Sequence, residues 1–234
     1  MDNRLSATKA IKQFKLPVRK AISATNRKPL PADIMSQYER DLSKLKLWID
    51  EGISLEVLDY YQVRYDPFSN RLLFPVRDNS GNIIALKGRT LDPDFKAKKI
   101  PKYTHLQSID YMDFFFGYYD HIDAIKAAKE VIVFEGEKSV MLMESWGIKN
   151  TMALTTSHLN PLQFKQLISL GVRVVFALDK EVNVYKDENI MRLKRYVSVE
   201  YIKDTSDLLG EKEAPVDRGK EVWTELYEGR RKLN

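Results

Sequence analysis

Six acidic residues stand at three places in the chain where an apolar run stops. Glu135 and Glu137 follow "VIVF" (131–134), Asp179 and Glu181 follow "RVVFAL" (173–178), and Asp204 and Asp207 follow "VSVEYI" (197–202). Carboxylates brought together repel, two of them ~4 Å apart by roughly 1 kcal/mol in water and about 4 kcal/mol at the effective dielectric of a protein surface. A cluster of them therefore wants protons or a cation. Oxygen ligands without histidine or cysteine suit a hard ion, Mg²⁺ or Mn²⁺, rather than zinc. Mg²⁺ commonly takes one or two carboxylates, several waters and substrate phosphates. Gly136, between the two glutamates, leaves room for close approach of a phosphate or of backbone. Acids also follow strands simply because loops are polar; three such strand ends carry more weight than one.

The acids meet only if the strands that carry them are parallel neighbours. From about residue 130 apolar runs alternate with helical patterns. "VIVF" precedes a helix over 138–146, which Gly147 ends. "TMAL" (151–154) precedes a helix with Asn160 at its N-cap, Pro161 at its first position and Gly171 past its last turn. "RVVFAL" precedes a helix within 186–196, and "VSVEYI" closes the set. This alternation predicts a parallel sheet with right-handed crossovers, whose strand C-termini lie on one edge where ligands bind.

The preceding stretch has a different period. Ile34, Tyr38, Leu42, Leu45 and Trp48 recur at spacings of three or four and predict one helix over 32–50. Gly52 stops it, and Ser54 caps a second, short helix. "RLLFPVRDNSGNIIALKGRTL" predicts a β-hairpin turning at "DNSGN", with Pro75 marking an edge strand or a strand end. The tail reads as a loop and a final amphipathic helix. The fold class is α/β: a parallel βαβ domain preceded by a mixed helical and antiparallel-sheet subdomain. The divisions are a basic arm over 1–30 that need not be ordered, an N-terminal subdomain over 31–128, the βαβ domain over 129–209 and a C-terminal helical segment over 210–234.

Composition narrows the partners. Lys and Arg number 38 against 33 acids among 234 residues, a formal net charge of +5. Residues 1–30 hold eight Lys or Arg and one acid, and "LKGRTLDPDFKAKKIPKYTH" is also basic and carries a tyrosine. Such stretches fit a polyanionic partner, a solvated surface being the competing reading. No run approaches 18 apolar residues, so no membrane span is expected. The first fifteen residues lack the apolar core of a secretory signal, and a cytoplasmic protein is expected. The chain has no cysteine, which excludes disulfides, thiol catalysis and cysteine-bound zinc. His105, His121 and His158 are scattered and are not expected to be ligands or catalysts; "FFFGYY" reads as core packing before base stacking.

The whole pattern resembles the Toprim domain, which has a Glu after its first strand in a hydrophobic-Glu-Gly context and Asp-x-Asp after its third; here these are "VIVFEGEKS" and "VFALDKE". Upstream, "RLLFPVRDNSGNIIALKGRTL…IPKYTHLQS…FFFGYY" resembles the catalytic core of DnaG-type primases, and the order and spacing of the two blocks also match. The resemblance covers roughly residues 30–228. It implies template-directed synthesis of RNA primers on single-stranded DNA by metal-dependent nucleotidyl transfer. Carried over by position, it makes Glu135 a general base or metal ligand, Asp179 and Glu181 catalytic metal ligands, and Asp204 a further ligand from a Lys-Asp-Pro-Asp segment. Arg89, Lys102 and Tyr103 fall on positions that contact template or nucleotide, and Lys138 is grouped with them. Arg77 joins that set, a structural role being equally open. The implied cofactor is Mg²⁺ or Mn²⁺ without zinc. The implied partners are single-stranded DNA and ribonucleoside triphosphates, with a replicative helicase or a separate zinc-binding module as candidates, and no membrane. The setting is bacterial or phage-infected cytoplasm.

The sequence departs from the pattern in three places. The third-strand motif is Asp179-Lys180-Glu181, whose last acid has a longer stem. "KDTSD" leaves Ser206 or Asp207 where the second Asp of its segment belongs. "YMDFFFG" offers only Met112 and Asp113 where a basic residue is expected. Two alternatives stay open: a Toprim nuclease using the same acids, and a degenerate relative that binds DNA or a replication partner without chemistry.

Overall fold

The computed structural model describes residues 28–107, 109 and 113–234. Most of the basic arm expected over 1–30, and Met112, lie outside them.

The first sheet is antiparallel, in the order β1 (Arg64–Asp66), β2 (Arg71–Arg77), β3 (Ile83–Thr90), β4 (Tyr103–His105). The hairpin turns where expected. Asp78 accepts from the backbone of Ser80 and Asn82, both at 2.9 Å, and Gly81 adopts φ +86°. Pro75 corrects one expectation, because β2 is an interior strand. The pairing with β1 runs only from Arg71 to Leu73, so Pro75 has one free flank and its missing N–H costs no ladder bond there.

The single helix expected over 32–50 is broken in two. A short 3₁₀ turn (Ile34–Gln37) ends at Tyr38 in extended conformation, and α1 (Leu42–Asp50) begins afresh. Two interactions outcompete the helix between them. Glu39 and Tyr65 exchange backbone hydrogen bonds of 2.9 and 2.7 Å, and Asp41 caps α1 by accepting from Ser43 N at 2.8 Å. Leu45 and Trp48 of the expected stripe are buried, whereas Leu42 is exposed. Gly52 (φ +98°) and Ser54, which accepts from Val57 N, set up α2 (Leu55–Tyr60) as expected.

The second sheet has the order β6-β5-β7-β8-β9: β5 (Glu130–Phe134), β6 (Thr151–Ala153), β7 (Arg173–Phe176) and β8 (Val199–Tyr201) are parallel, and β9 (Arg231–Lys232) is antiparallel. Its helices are α3 (Tyr118–Ala128), α4 (Glu137–Ser145), α5 (Pro161–Leu170), α6 (Glu188–Leu193) and α7 (Lys220–Glu228). α5 carries the capping box its sequence announces, Asn160 accepting from Leu162 and Gln163 while Gln163 answers Asn160 N. The sequence reading did not find α3 or β9. α3 starts at Gly117 without a side-chain cap, and two residues of β9 hold no period.

The central strands β5 and β7 feed two cores by alternation. Val131, Val133, Val174 and Phe176 point to one, with Leu167, Leu193 and Val199. Ile132, Phe134, Val175 and Ala177 point to the other, which also holds Leu45, Trp48, Leu58, Leu72 and Phe74 of the N-terminal part and Trp223 of α7. Burial on both faces is why these strands read as unbroken apolar runs. Phe114, Phe115 and Phe116 are buried, as core packing requires.

Candidate active site

β5, β7 and β8 are adjacent and parallel, in the register Val133↔Phe176↔Tyr201, so their C-terminal loops leave one edge together. Glu135 and Asp179 share that edge. Burial pushes the Glu135 carboxyl up, countered by His158 and Lys87. Asp179 is pushed up to about 7, first by burial and then by the Glu135 and Asp217 carboxylates, with Lys102 and Lys138 pulling the other way. Two half-buried carboxylates in each other's field are a place where a cation is stabilising. Gly136 caps α4 with ordinary φ, and a Cβ there would meet nothing within 4 Å. The space beside the first turn of α4 is open, and helix N-termini favour anions.

The second glutamate of "EGE" has a different partner. Glu137 is buried and accepts from Lys87 Nζ at 2.6 Å, which ties α4 to β3 of the other sheet. Lys87 pairs across the ladder with His105, and Arg89 with Tyr103. These four therefore share one face of the β3–β4 ladder, and Lys87 directs it toward the acids. Lys87, Arg89 and Lys102 stand 5.5, 6.0 and 5.9 Å from the Tyr103 ring. Burial raises the Tyr103 phenol above its ordinary value. Burial lowers Lys102, as do Arg89 and Lys138.

The sequence matches the family model for the DNA primase catalytic core, N-terminal domain, over residues 3–108. The SPbeta prophage-derived uncharacterized protein YorJ of Bacillus subtilis is 30% identical over 216 residues, 80% of this chain and 57% of that protein. The DNA primase of Pseudomonas aeruginosa is 32% identical over 151 residues, 63% of this chain and 22% of the primase. The RNA polymerase domain of Mycobacterium tuberculosis primase DnaG, solved with a double-stranded DNA bearing a 6-nucleotide overhang, has the same fold: TM-score 0.66 and 15% identity over 86% of this chain and 78% of its own. Residues 3–108 match the N-terminal domain of the DNA primase catalytic core, and the chain shares the fold of solved DnaG catalytic cores. It spans 57% of the prophage protein and about a fifth of the bacterial primase.

Within this fold the remaining expected residues are dispersed. Lys138 bonds Glu51 and Asp217, each at 2.9 Å, and these partners raise its pKa against the effect of burial. Arg89 donates to the Thr90 carbonyl and lies 5.5 Å from the Phe95 ring. Arg77 holds the hairpin, donating to the Gly81 carbonyl at 3.0 Å and to Gln62 at 3.1 Å. Glu181 is exposed and lines a cavity of about 320 Å³ with Asp179, Lys180 and Asp204. Asp204 accepts from the backbone of Leu208 at 3.0 Å and Leu209 at 2.9 Å, with Lys180 at 3.5 Å. Burial alone would raise it, but those bonds hold it below the usual carboxylate range. Asp207 pairs with Lys180. Among the described residues, no three acids or histidines are arranged to hold a metal ion. Glu135 and Asp179 are two acids whose charges are coupled at this edge, and a hard ion held by two carboxylates leaves further positions to water and phosphate.

Asp217, Lys87 and Glu51 were not foreseen. Lys87 sits two residues before Arg89 on the expected strand, so the period-2 rule alone could have placed it on the same face. Asp217 and Glu51 carried no signal, being far from any motif. His105 Nε2 is buried with no partner among the described residues, and burial and Lys87 lower its pKa. His121 is buried against Thr151, Glu144 and Tyr61.

Proposed function

We propose that this chain is the catalytic core of a primase that joins ribonucleotides into short RNA primers on a single-stranded DNA template. The observation that carries it is the convergence of cations on two acids at the ends of neighbouring strands: Lys87 of the β3–β4 ladder is within electrostatic reach of Glu135, and Lys102 and Lys138 are within reach of Asp179.

Glu135 and Asp179 would hold a Mg²⁺ or Mn²⁺ ion, with Glu181 beside them. Such an ion polarises phosphoryl oxygens and stabilises the charge that develops on transfer. Lys102 and Arg89 take the phosphates of the incoming ribonucleoside triphosphate and of the template, and the open N-terminus of α4 at Gly136 adds backbone donors. Tyr103, among three cations, keeps them spaced. Glu137, neutralised by Lys87, adds no charge to the acid pair. The template contacts release counterions, so DNA binding weakens as salt rises. The setting is bacterial or phage-infected cytoplasm, with a replicative helicase or a zinc-binding module as assisting partners. Among the described residues no helix is long and apolar enough to cross a membrane.

The test is synthesis from four labelled ribonucleotides on single-stranded DNA with Mg²⁺ or Mn²⁺, beside Glu135→Ala. Short labelled RNAs from the natural chain, reduced at least 100-fold in the variant, are expected. Template shortening in place of synthesis would make the chain a nuclease.

A further inference from the structure

Resting on the reading of Glu135 and Asp179 as the cation-binding pair, we propose that Lys180 supplies the positive charge between the β7 and β8 loops from within the chain. The site then takes one divalent ion, and the carboxylates after β8 take none.

Lys180 is the middle residue of Asp179-Lys180-Glu181, the third-strand motif whose last acid is the longer glutamate. Its ammonium reaches Asp204 Oδ2 at 3.5 Å, Asp207 Oδ1 and the Leu209 carbonyl. An ammonium has three N–H donors, and here there are three acceptors for them. Its own backbone is fixed, Lys180 N donating to the Glu213 carbonyl at 3.0 Å. The residue that resemblance makes a metal ligand is thereby spoken for. The Asp204 side chain is 1% exposed, one of its oxygens takes the Leu208 amide, and the other takes the Leu209 amide and the ammonium. A divalent ion would have to displace the lysine and compete with two backbone donors inside a closed loop. Asp207 is the opposite case, 90% exposed, and its carboxylate turns back onto the same ammonium. Lysine is a compact point charge, well suited to stand between two carboxylates from one loop. Asp179 and Lys180 leave the same strand, so the chain carries a fixed cation one residue from the acid that holds the exchangeable one.

The test is Mn²⁺ binding to the full chain, read as loss of the free-ion electron paramagnetic resonance signal, with circular dichroism as the check on folding. One Mn²⁺ per natural chain is expected, lost at least tenfold in affinity in Asp179→Asn. Lys180→Gln keeps a donor for the Leu209 carbonyl but no charge. It should gain a second Mn²⁺, which Asp204→Asn in the same background removes. In the natural background Asp204→Asn should leave Mn²⁺ affinity within about twofold, a readout that stands even if Lys180→Gln does not fold. Two ions on the natural chain, a tenfold loss in Asp204→Asn, or a folded Lys180→Gln that still binds one would overturn the proposal. A single site that survives Asp179→Asn would instead sink the reading of the acid pair, while an Asp204-dependent second ion in Lys180→Gln would still support the role of Lys180.

Discussion

Among the described residues, Asp179 is a carboxylate that folding pushes strongly upward. Burial, Glu135 and Asp217 all raise it, to about 7 from an ordinary 3.8. Below pH ~4 the group is protonated folded or unfolded and costs nothing. Between about 4 and 7 the unfolded chain gives up the proton that the folded chain keeps, so stability falls as pH rises, and above 7 the whole penalty is present. Three units correspond to about 4 kcal/mol, and partial exposure brings the figure toward about 2. Asp179→Asn should therefore be more stable than the natural chain by about 2–4 kcal/mol at pH 8 in metal-free buffer, with the difference vanishing near pH 4, while the activity proposed for the acid pair is lost. Urea denaturation across that range checks it; a variant of equal or lower stability at pH 8 would mean that Asp179 is not strained. Such a trade of stability for function is common at active sites. Glu135 and Asp179 were legible because an apolar strand ending in an acid is a local signal. Asp217 was not, because its effect on Asp179 arises only when a tail almost 40 residues away folds back. Lys180 was not legible, since it stands at the unconstrained middle position of its motif and its partners come from the loop that closes over it.

The elements of the parallel sheet could be read because each is punctuated by its own residues, as Asn160, Pro161 and Gly171 punctuate α5. The failures share a cause. The run 32–50 has a helical period throughout, but Glu39 finds a long-range partner in Tyr65, and a sequence window does not see it. The contact between β3 and α4 was equally hidden, and through Lys87 and Glu137 it ties the first sheet to the helix that follows Glu135. Lys87 and Glu137 are both buried, so removing one leaves the other uncompensated, at a typical cost of 3–5 kcal/mol, whereas an apolar pair in their place is often tolerated. Lys87→Met should lose about 3 kcal/mol in urea denaturation, and Lys87→Met with Glu137→Leu should recover most of it. A loss below about 1 kcal/mol in the single variant would show that the pair is hydrated and does not join the sheets.

At the scale of the molecule, one buried cluster ignores the boundary that the sequence suggests at residue 128. Trp48, Leu58 and Phe74 pack in the same cluster as Phe134, Met141 and Trp223, with Phe74 and Phe116 edge to face at 5.9 Å. A polar link runs beside it: Tyr61 of the N-terminal part meets His121 at 3.2 Å, and His121 meets Glu144 of α4 at 3.0 Å. Neither half can bury these side chains alone, and exposing them would forfeit about 1.5–3 kcal/mol for each large residue. The halves should therefore unfold together. Trp48 from the first half and Trp146 and Trp223 from the second lie in or against the shared cluster and report on both sides of it by fluorescence. Their urea transition should coincide with that of the far-ultraviolet dichroism, with one midpoint and one slope. Separate midpoints would mean that the sheets are independent domains meeting at a weak interface. The convergence of the cations on the acid pair would then have to be imposed by DNA or nucleotide, whereas a single transition makes it a property of the folded chain before any ligand arrives.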